Sequence, residues 1–111
     1  MLMASFFSFS KATAQTKKAF TEELNTAVFT TKFVISDNKE ITYVTHDADD
    51  GAWQFFSEDK FEDYEEVAKI VGLGQIIKRD ESILELADMP VGYYAFRKSK
   101  KDKWVIKKQE E

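Results

Sequence analysis

The sequence predicts an α+β fold: a curved antiparallel sheet of about five or six strands, with helices on one face. Alternating apolar segments of strand length are separated by short polar turns rich in Asp, Asn and Gly. Two later apolar stretches repeat at helical spacing instead. Ten Phe, four Tyr and two Trp among 111 residues provide the apolar side chains that a core requires.

The first three strands are expected at residues 28–36, 41–46 and 52–57, because these segments are rich in β-branched and aromatic residues. Polar turns at residues 37–40 and 47–51 separate them. Strands joined by such short turns pair with their sequence neighbours, so we expect an antiparallel meander.

The second half of the chain alternates between strands and helical turns. Residues 67–71 are a short apolar run that ends at Gly72 and Gly74, and we expect a fourth strand there. Two helical stripes follow, the second capped by Asp80 or Ser82 and ended by Pro90. The last strands are expected at residues 92–97 and 104–106, separated by a turn at residues 99–102.

These periodicities predict the core. On the helical side we expect Ile76, Ile77, Ile83, Leu84 and Leu86. Alternation in the first strand places Phe29, Thr31, Phe33 and Ile35 on one face. The sheet-side candidates are Phe29, Phe33, Ile35, Phe55 and Trp104.

We expect residues 1–111 to form a single domain, with an N-terminal helical or frayed segment (1–24), a core (25–107) and a tail (108–111). Residues 11–24 have the stripe of a short amphipathic helix. Residues 1–10 are apolar but are interrupted by three Ser and lack a preceding basic stretch, which favours a terminus over a signal peptide. No apolar run approaches the roughly 20 residues of a membrane span. We therefore expect a cytoplasmic protein with no membrane partner.

Charge is unevenly distributed. Residues 37–66 contain eleven acidic residues and two Lys, whereas residues 97–111 contain seven basic and three acidic residues. The acidic block argues against nucleic acid as a partner, since phosphate binding needs a dominant basic surface. The absence of Cys excludes disulfides, thiol nucleophiles and thiolate metal sites.

The densest polar cluster runs from His46 to Gly51. Its carboxylates suit a divalent cation, but the spacing fails as a calcium loop, because Gly51 and Ala52 occupy the fifth and sixth positions. Asp and Gly are also the residues that a hairpin turn requires, and we favour the turn, with no metal. A two-carboxylate magnesium site is the alternative.

His46 is the only histidine. No Ser lies in a nucleophile elbow, and the carboxylates lie in turns or acidic runs. We therefore interpret His46 as a strand-end residue bonded to a turn group, and we expect no catalytic residue and no cofactor. The alternative is a ligand sensor, or a metal or His–carboxylate enzyme, built around His46.

Several motifs resemble a family of small bacterial domains grouped as immunity protein thirty-three of polymorphic toxin systems. The most specific are His46-Asp47-x-Asp49-x-Gly51-x-Trp53-Gln54-Phe55 and Leu86-Ala87-Asp88-x-Pro90-x-Gly92. The usual form of the first motif has Gly directly after the second Asp, whereas here Asp50 intervenes. The resemblance implies an α+β fold and, for part of the family, neutralisation of a toxin by binding it. It supplies no catalytic residues.

The leading hypothesis is therefore a protein-binding module whose acidic surface meets a basic partner, such as a nuclease toxin domain. Aromatic residues flanked by acids make good anchors. The candidate contacts are His46, Asp47, Asp49, Asp50, Trp53, Glu58, Asp59, Glu62, Asp63 and Tyr64. A solvated acidic face that only maintains solubility, and a structural or regulatory domain, are the alternatives.

Overall fold

The computed structural model describes residues 18–110, which form a six-stranded open sheet with short helices. The strands are β1 (Ala27–Thr31), β2 (Tyr43–His46), β3 (Trp53–Phe56), β4 (Ala68–Gly72), β5 (Tyr93–Phe96) and β6 (Val105–Lys108). The helices are α1 (Lys32–Ile35), α2 (Tyr64–Val67), α3 (Leu73–Arg79) and a 3₁₀ helix (Glu81–Leu86). The order across the sheet is β4-β1-β3-β2-β5-β6. The predicted α+β class is confirmed.

The sheet is mixed, so the predicted antiparallel meander is wrong. β1 pairs in parallel with β3, and β2 lies on the far side of β3. A parallel pair needs a crossover connection, and here residues 32–52, which include α1 and β2, provide it. The buried hydroxyl of Thr30 donates to the Phe55 carbonyl at 2.7 Å and ties the two strands together.

The first predicted strand is too long. Its second half is the single turn α1, whose N-cap is Thr31: the Thr31 hydroxyl accepts from the Val34 amide. The predicted face is also wrong for Phe29, which points to the other side, whereas Val28 and Thr30 are buried; Thr31 is buried as well, where α1 begins. A helical turn breaks the period-2 alternation on which that prediction depended.

The β2–β3 hairpin follows the prediction closely. Tyr43 pairs with Phe56 and His46 pairs with Trp53, across the turn at residues 47–51. Strands β4, β5 and β6 lie within two residues of the predicted segments. β6 continues to Lys108, which was expected in the tail, and the Gln109 amide donates to the Gly92 carbonyl at 2.7 Å.

The helical turns lie where predicted, but their caps differ in detail. Asp80 caps the 3₁₀ helix, because its carboxylate accepts from the Ser82 amide at 3.0 Å. The alternative cap, a Ser82–Glu85 capping box, is not formed. At the start of α3, a Cβ on Gly72 would lie only 3.2 Å from the Leu24 carbonyl, so glycine permits this close approach.

The helices α1 and α3 and the 3₁₀ helix contribute to one core on one face of the sheet. Of the predicted residues, Phe55, Ile76, Ile83 and Leu86 are fully buried. Ile35, Ile77 and Trp104 are partly buried against this core. Phe29, Phe33 and Leu84 are half-buried and lie outside the core cluster. The helix α2 differs from the others, since Tyr64 contacts Phe56 of the opposite sheet face.

The described part of the predicted N-terminal helix, residues 18–24, is not helical. Residues 18–24 are irregular, and the rest of that prediction, residues 11–17, lies outside the described residues. Phe20 nevertheless packs edge-on against Trp53, with ring centroids 5.0 Å apart.

Within the described residues, no helix is both long enough and apolar enough to cross a lipid bilayer.

Candidate protein-binding surface

The segment from Asp47 to Gly51 is a closed turn. The Asp47 amide donates to the Ala52 carbonyl at 2.8 Å, and the Gly51 amide donates to the Asp47 carbonyl at 2.9 Å. Gly51 has a φ of +75°, a conformation that glycine adopts without strain. The carboxylates of Asp47 and Asp50 accept from the backbone two residues later, each at 2.9 Å. Turn formation therefore accounts for these residue types.

His46 is tied into the fold and stacked on a core ring. Its Nδ1 lies 2.7 Å from the Met89 carbonyl, so Nδ1 carries the proton that it donates. The imidazole stacks on Trp53 with centroids 3.9 Å apart. Within residues 18–110, no three His, Asp or Glu side chains gather where they could hold a metal ion.

Trp53 is a core residue. Only 2% of it is exposed, and its indole N–H donates to the Glu22 carboxylate at 2.9 Å. It therefore offers a partner almost no surface, although the sequence placed it among the candidate contacts. Phe56, three residues later in the same strand, was not among the candidate contacts, and its side chain lies on the other face of the sheet.

Residues 58–66, which we call the acidic connection, follow β3 and include the first three residues of α2. They contain six acidic residues and one Lys. Asp59 accepts from the Ser57 hydroxyl at 2.7 Å and lies 3.6 Å from the Lys39 amine. Asp63 caps α2 by accepting from the Glu65 amide. These two carboxylates thus hold the connection in shape.

Four other carboxylates of the acidic connection are exposed to solvent. Within residues 18–110 their side chains form no hydrogen bond or ion pair; they are Glu58, Glu62, Glu65 and Glu66. Their charge is therefore available to a partner.

The structure separates the predicted contacts into two groups. The turn at residues 47–51 precedes β3 and the acidic connection follows it, so the two groups lie at opposite ends of this strand. Four residues of strand span about 13 Å. The predicted acids are therefore not one patch.

A second feature adjoins the acidic connection: six aromatic rings on the sheet face opposite the core. We call these rings the aromatic face; they are Tyr43, Phe56, Phe61, Tyr64, Tyr94 and Phe96. Successive ring centroids are 5.8–6.2 Å apart, which is contact distance for aromatic pairs. Only Tyr64 was a candidate from the sequence. Alternation along the strands could have identified Tyr43 and Phe96, because each is next to a buried residue, Val44 and Ala95 respectively.

Two phenols of the aromatic face have raised pKa values. Burial raises the pKa of Tyr43 above its ordinary value of 10.0, and the neighbouring Tyr94 raises it further. Burial also raises the pKa of Tyr64, whose hydroxyl donates to the Thr30 carbonyl at 2.9 Å. Both rings are therefore neutral hydrogen-bonding groups at physiological pH.

A groove of about 570 Å³ opens on the helical side of the protein. Its apolar lining consists of Leu84, Leu86, Trp104 and Ile106, and Lys18 is one of its polar lining residues. None of the predicted contact residues lines it. The groove is thus separate from both acidic groups.

The sequence model described as Immunity protein Imm33 domain matches residues 28–108. The match begins in β1 and ends at the last residue of β6, so it includes every strand of the sheet. No curated protein and no solved structure matches the chain. The family resemblance of the sequence motifs is confirmed, and since the match covers well over half of the 111 residues, the chain belongs to the Imm33 immunity protein family.

Proposed function

We propose that this protein neutralises a toxin by binding it, and that the acidic connection attracts the toxin. The observation that carries this proposal is the set of exposed carboxylates in residues 58–66 that have no partner among the described residues. Membership of an immunity protein family supports a protein partner. Binding, not catalysis, is the activity that such a surface supports.

The chemistry of the surface favours a basic toxin. A toxin that acts on nucleic acid carries a cationic active surface, because its substrate is a polyanion. Opposite charges accelerate the encounter and orient the two proteins before contact. An acidic connection that covers such a surface would also exclude the substrate.

The acids at residues 47–51 are weaker candidates for this contact. Asp47 and Asp50 already bond to the backbone of their own turn, and reorienting them would open it. Asp49 is exposed and remains a candidate. The acidic connection is therefore the first surface to test.

The test is a growth assay in a bacterial host that expresses, one at a time, the products of the genes adjacent to this one, of which we expect one to be a toxin. The wild-type chain should restore growth. A triple reversal, Glu58→Lys, Glu62→Lys and Glu66→Lys, should restore it poorly and should slow association with the purified toxin at low salt by about tenfold or more. Asp63 is left unchanged because it caps α2.

The matched control carries the same change in net charge elsewhere: Glu23→Lys, Asp37→Lys and Glu110→Lys, all exposed. It should neutralise the toxin as the wild type does. If both triple variants lose neutralisation to the same extent, net charge and not the acidic connection explains the loss. If the wild-type chain neither restores growth nor binds, the proposed function is wrong.

A further inference from the structure

We infer that the aromatic face is the centre of the toxin interface, and that its partner presents an apolar patch bordered by lysine or arginine side chains. This inference rests on the proposed function and identifies the surface that performs it. The acidic connection would attract the toxin, and the aromatic face would retain it.

The strand register shows how the aromatic face is built. Tyr43 pairs with Phe56 on one side and with Phe96 on the other, and Phe96 pairs with Val105. Paired residues lie on the same face of a sheet, so these four side chains form a continuous apolar row across β3, β2, β5 and β6. Tyr94 extends the row toward the other end of the strands.

Most of this row is exposed although its residues are apolar, and of its four paired side chains only Phe56 is half-buried. Tyr43, Phe96 and Val105 are 40%, 38% and 43% exposed, and Phe61 is 39% exposed. The helices that bury the opposite face supply their buried residues to the core, not to this side. A contiguous exposed apolar surface that is bordered by charged residues commonly marks an interaction site.

The acidic connection and the aromatic face are physically continuous. Phe61 and Tyr64 belong to both, and their rings lie 6.2 and 5.9 Å from that of Phe56. Carboxylates on either side of Phe61 and Tyr64 therefore border the rings. A basic side chain that pairs with these carboxylates can also lie over a ring face, which adds a cation–π contact.

The size of the aromatic face also favours a partner that contacts both the rings and the carboxylates of the acidic connection. The four strands of the apolar row, at about 4.8 Å spacing and about 13 Å length, cover roughly 200–250 Å². A stable interface buries about 800 Å² on each side. The rings alone are therefore too small for a stable partner surface, and the charged border must contribute.

Rings and charges should affect different rate constants. Long-range attraction sets the association rate, whereas closely packed rings at the centre of an interface set the dissociation rate. The tests are Tyr43→Ala and Phe96→Ala, with Leu24→Ala and Val91→Ala as controls. The control residues are 65% and 52% exposed and lie outside the aromatic face.

The probe is the toxin domain that the wild-type chain neutralises in the growth assay, with binding followed by surface plasmon resonance. Tyr43→Ala and Phe96→Ala should each increase the dissociation rate by about 30-fold, the size of effect found at interface hot spots, and leave the association rate within about twofold. The two controls should bind as the wild type does. Circular dichroism verifies the fold of each variant. Hydrogen exchange of the wild-type complex, which needs no variant, should show slower exchange in β2 and β5.

The outcomes separate the two proposals. If the ring variants and the wild type dissociate alike while the triple reversal still weakens binding, the aromatic face is not the interface and the proposed function stands. If the wild-type chain binds no toxin, both proposals are overturned. Sedimentation of the chain alone tests a second copy as the occupant: a dimer that Tyr43→Ala dissociates would overturn the toxin assignment of this face.

Discussion

The Arg97 guanidinium and the Asp80 carboxylate form a 2.7 Å ion pair inside the protein, with side chains only 1% and 5% exposed. Arg97 also donates twice to the Ile41 carbonyl and once to the Ser82 hydroxyl. Its guanidinium lies 3.9 Å from the centroid of the Trp104 ring. One side chain thus joins β5, the start of the 3₁₀ helix and the segment before β2.

We expect Asp80→Ala to reduce the free energy of unfolding by about 3–5 kcal/mol, because it leaves the Arg97 charge buried without its partner. The matched control is Asp88→Ala, which breaks the exposed 3.1 Å pair with Lys18. That change should cost about 1 kcal/mol or less. Urea unfolding measures the free energy of unfolding of both variants. Equal losses would show that the buried pair stabilises the fold no more than the exposed pair does.

We expect Leu86→Ala to cost about 2–5 kcal/mol, since Leu86 is fully buried and its truncation leaves a cavity in the core. Leu24→Ala is the control with the same chemical change at a residue that is 65% exposed. It should change stability by about 0.5 kcal/mol or less. A Leu86→Ala loss as small as that of the control would mean that the 3₁₀ helix does not pack as described.

Divalent cations should leave the stability unchanged. The carboxylates of Asp47 and Asp50 are occupied by backbone amides of their own turn. Thermal melts with magnesium, calcium, zinc or a chelator should therefore superimpose. A cation at a hundred times its dissociation constant would add about 2.7 kcal/mol and would be visible as a higher melting temperature.

Alkaline pH should destabilise the protein in part through Tyr43 and Tyr64. Their folded-state pKa values lie above 10.0, so the native state retains its protons where the unfolded chain has lost them. The resulting stabilisation is complete below about pH 10 and is lost as pH rises through the folded pKa values. The Tyr43→Phe, Tyr64→Phe double variant should therefore lose less stability than the wild type between about pH 9 and pH 11. Equal losses in urea unfolding would contradict this assignment.

Local patterns in the sequence were sufficient to predict the β2–β3 hairpin. Alternation at Trp53 and Phe55 placed these side chains together on one face, and Asp and Gly between the strands predicted the turn. The helical spacing of Ile76, Ile83 and Leu86 likewise predicted buried residues. Each of these features depends on residues only a few positions apart, so the sequence contains all the information that they require.

Pairing across the sheet was decided by tertiary structure. The sequence placed 28–36 in one strand beside 41–46, whereas α1 ends β1 early and carries the chain past β3. A parallel pair is stabilised by contacts between distant residues, such as Thr30 with Phe55. Periodicity does not encode such partners.

The sequence by itself determined the family, the charge asymmetry and the acidic composition of residues 58–66, because residue identity alone fixes these properties. Only the tertiary structure showed that the predicted acids lie at opposite ends of β3, that Trp53 is buried and that six aromatic rings line the opposite face. The physical reason is that period-2 alternation separates the two faces of a strand but does not say which face the helices will cover.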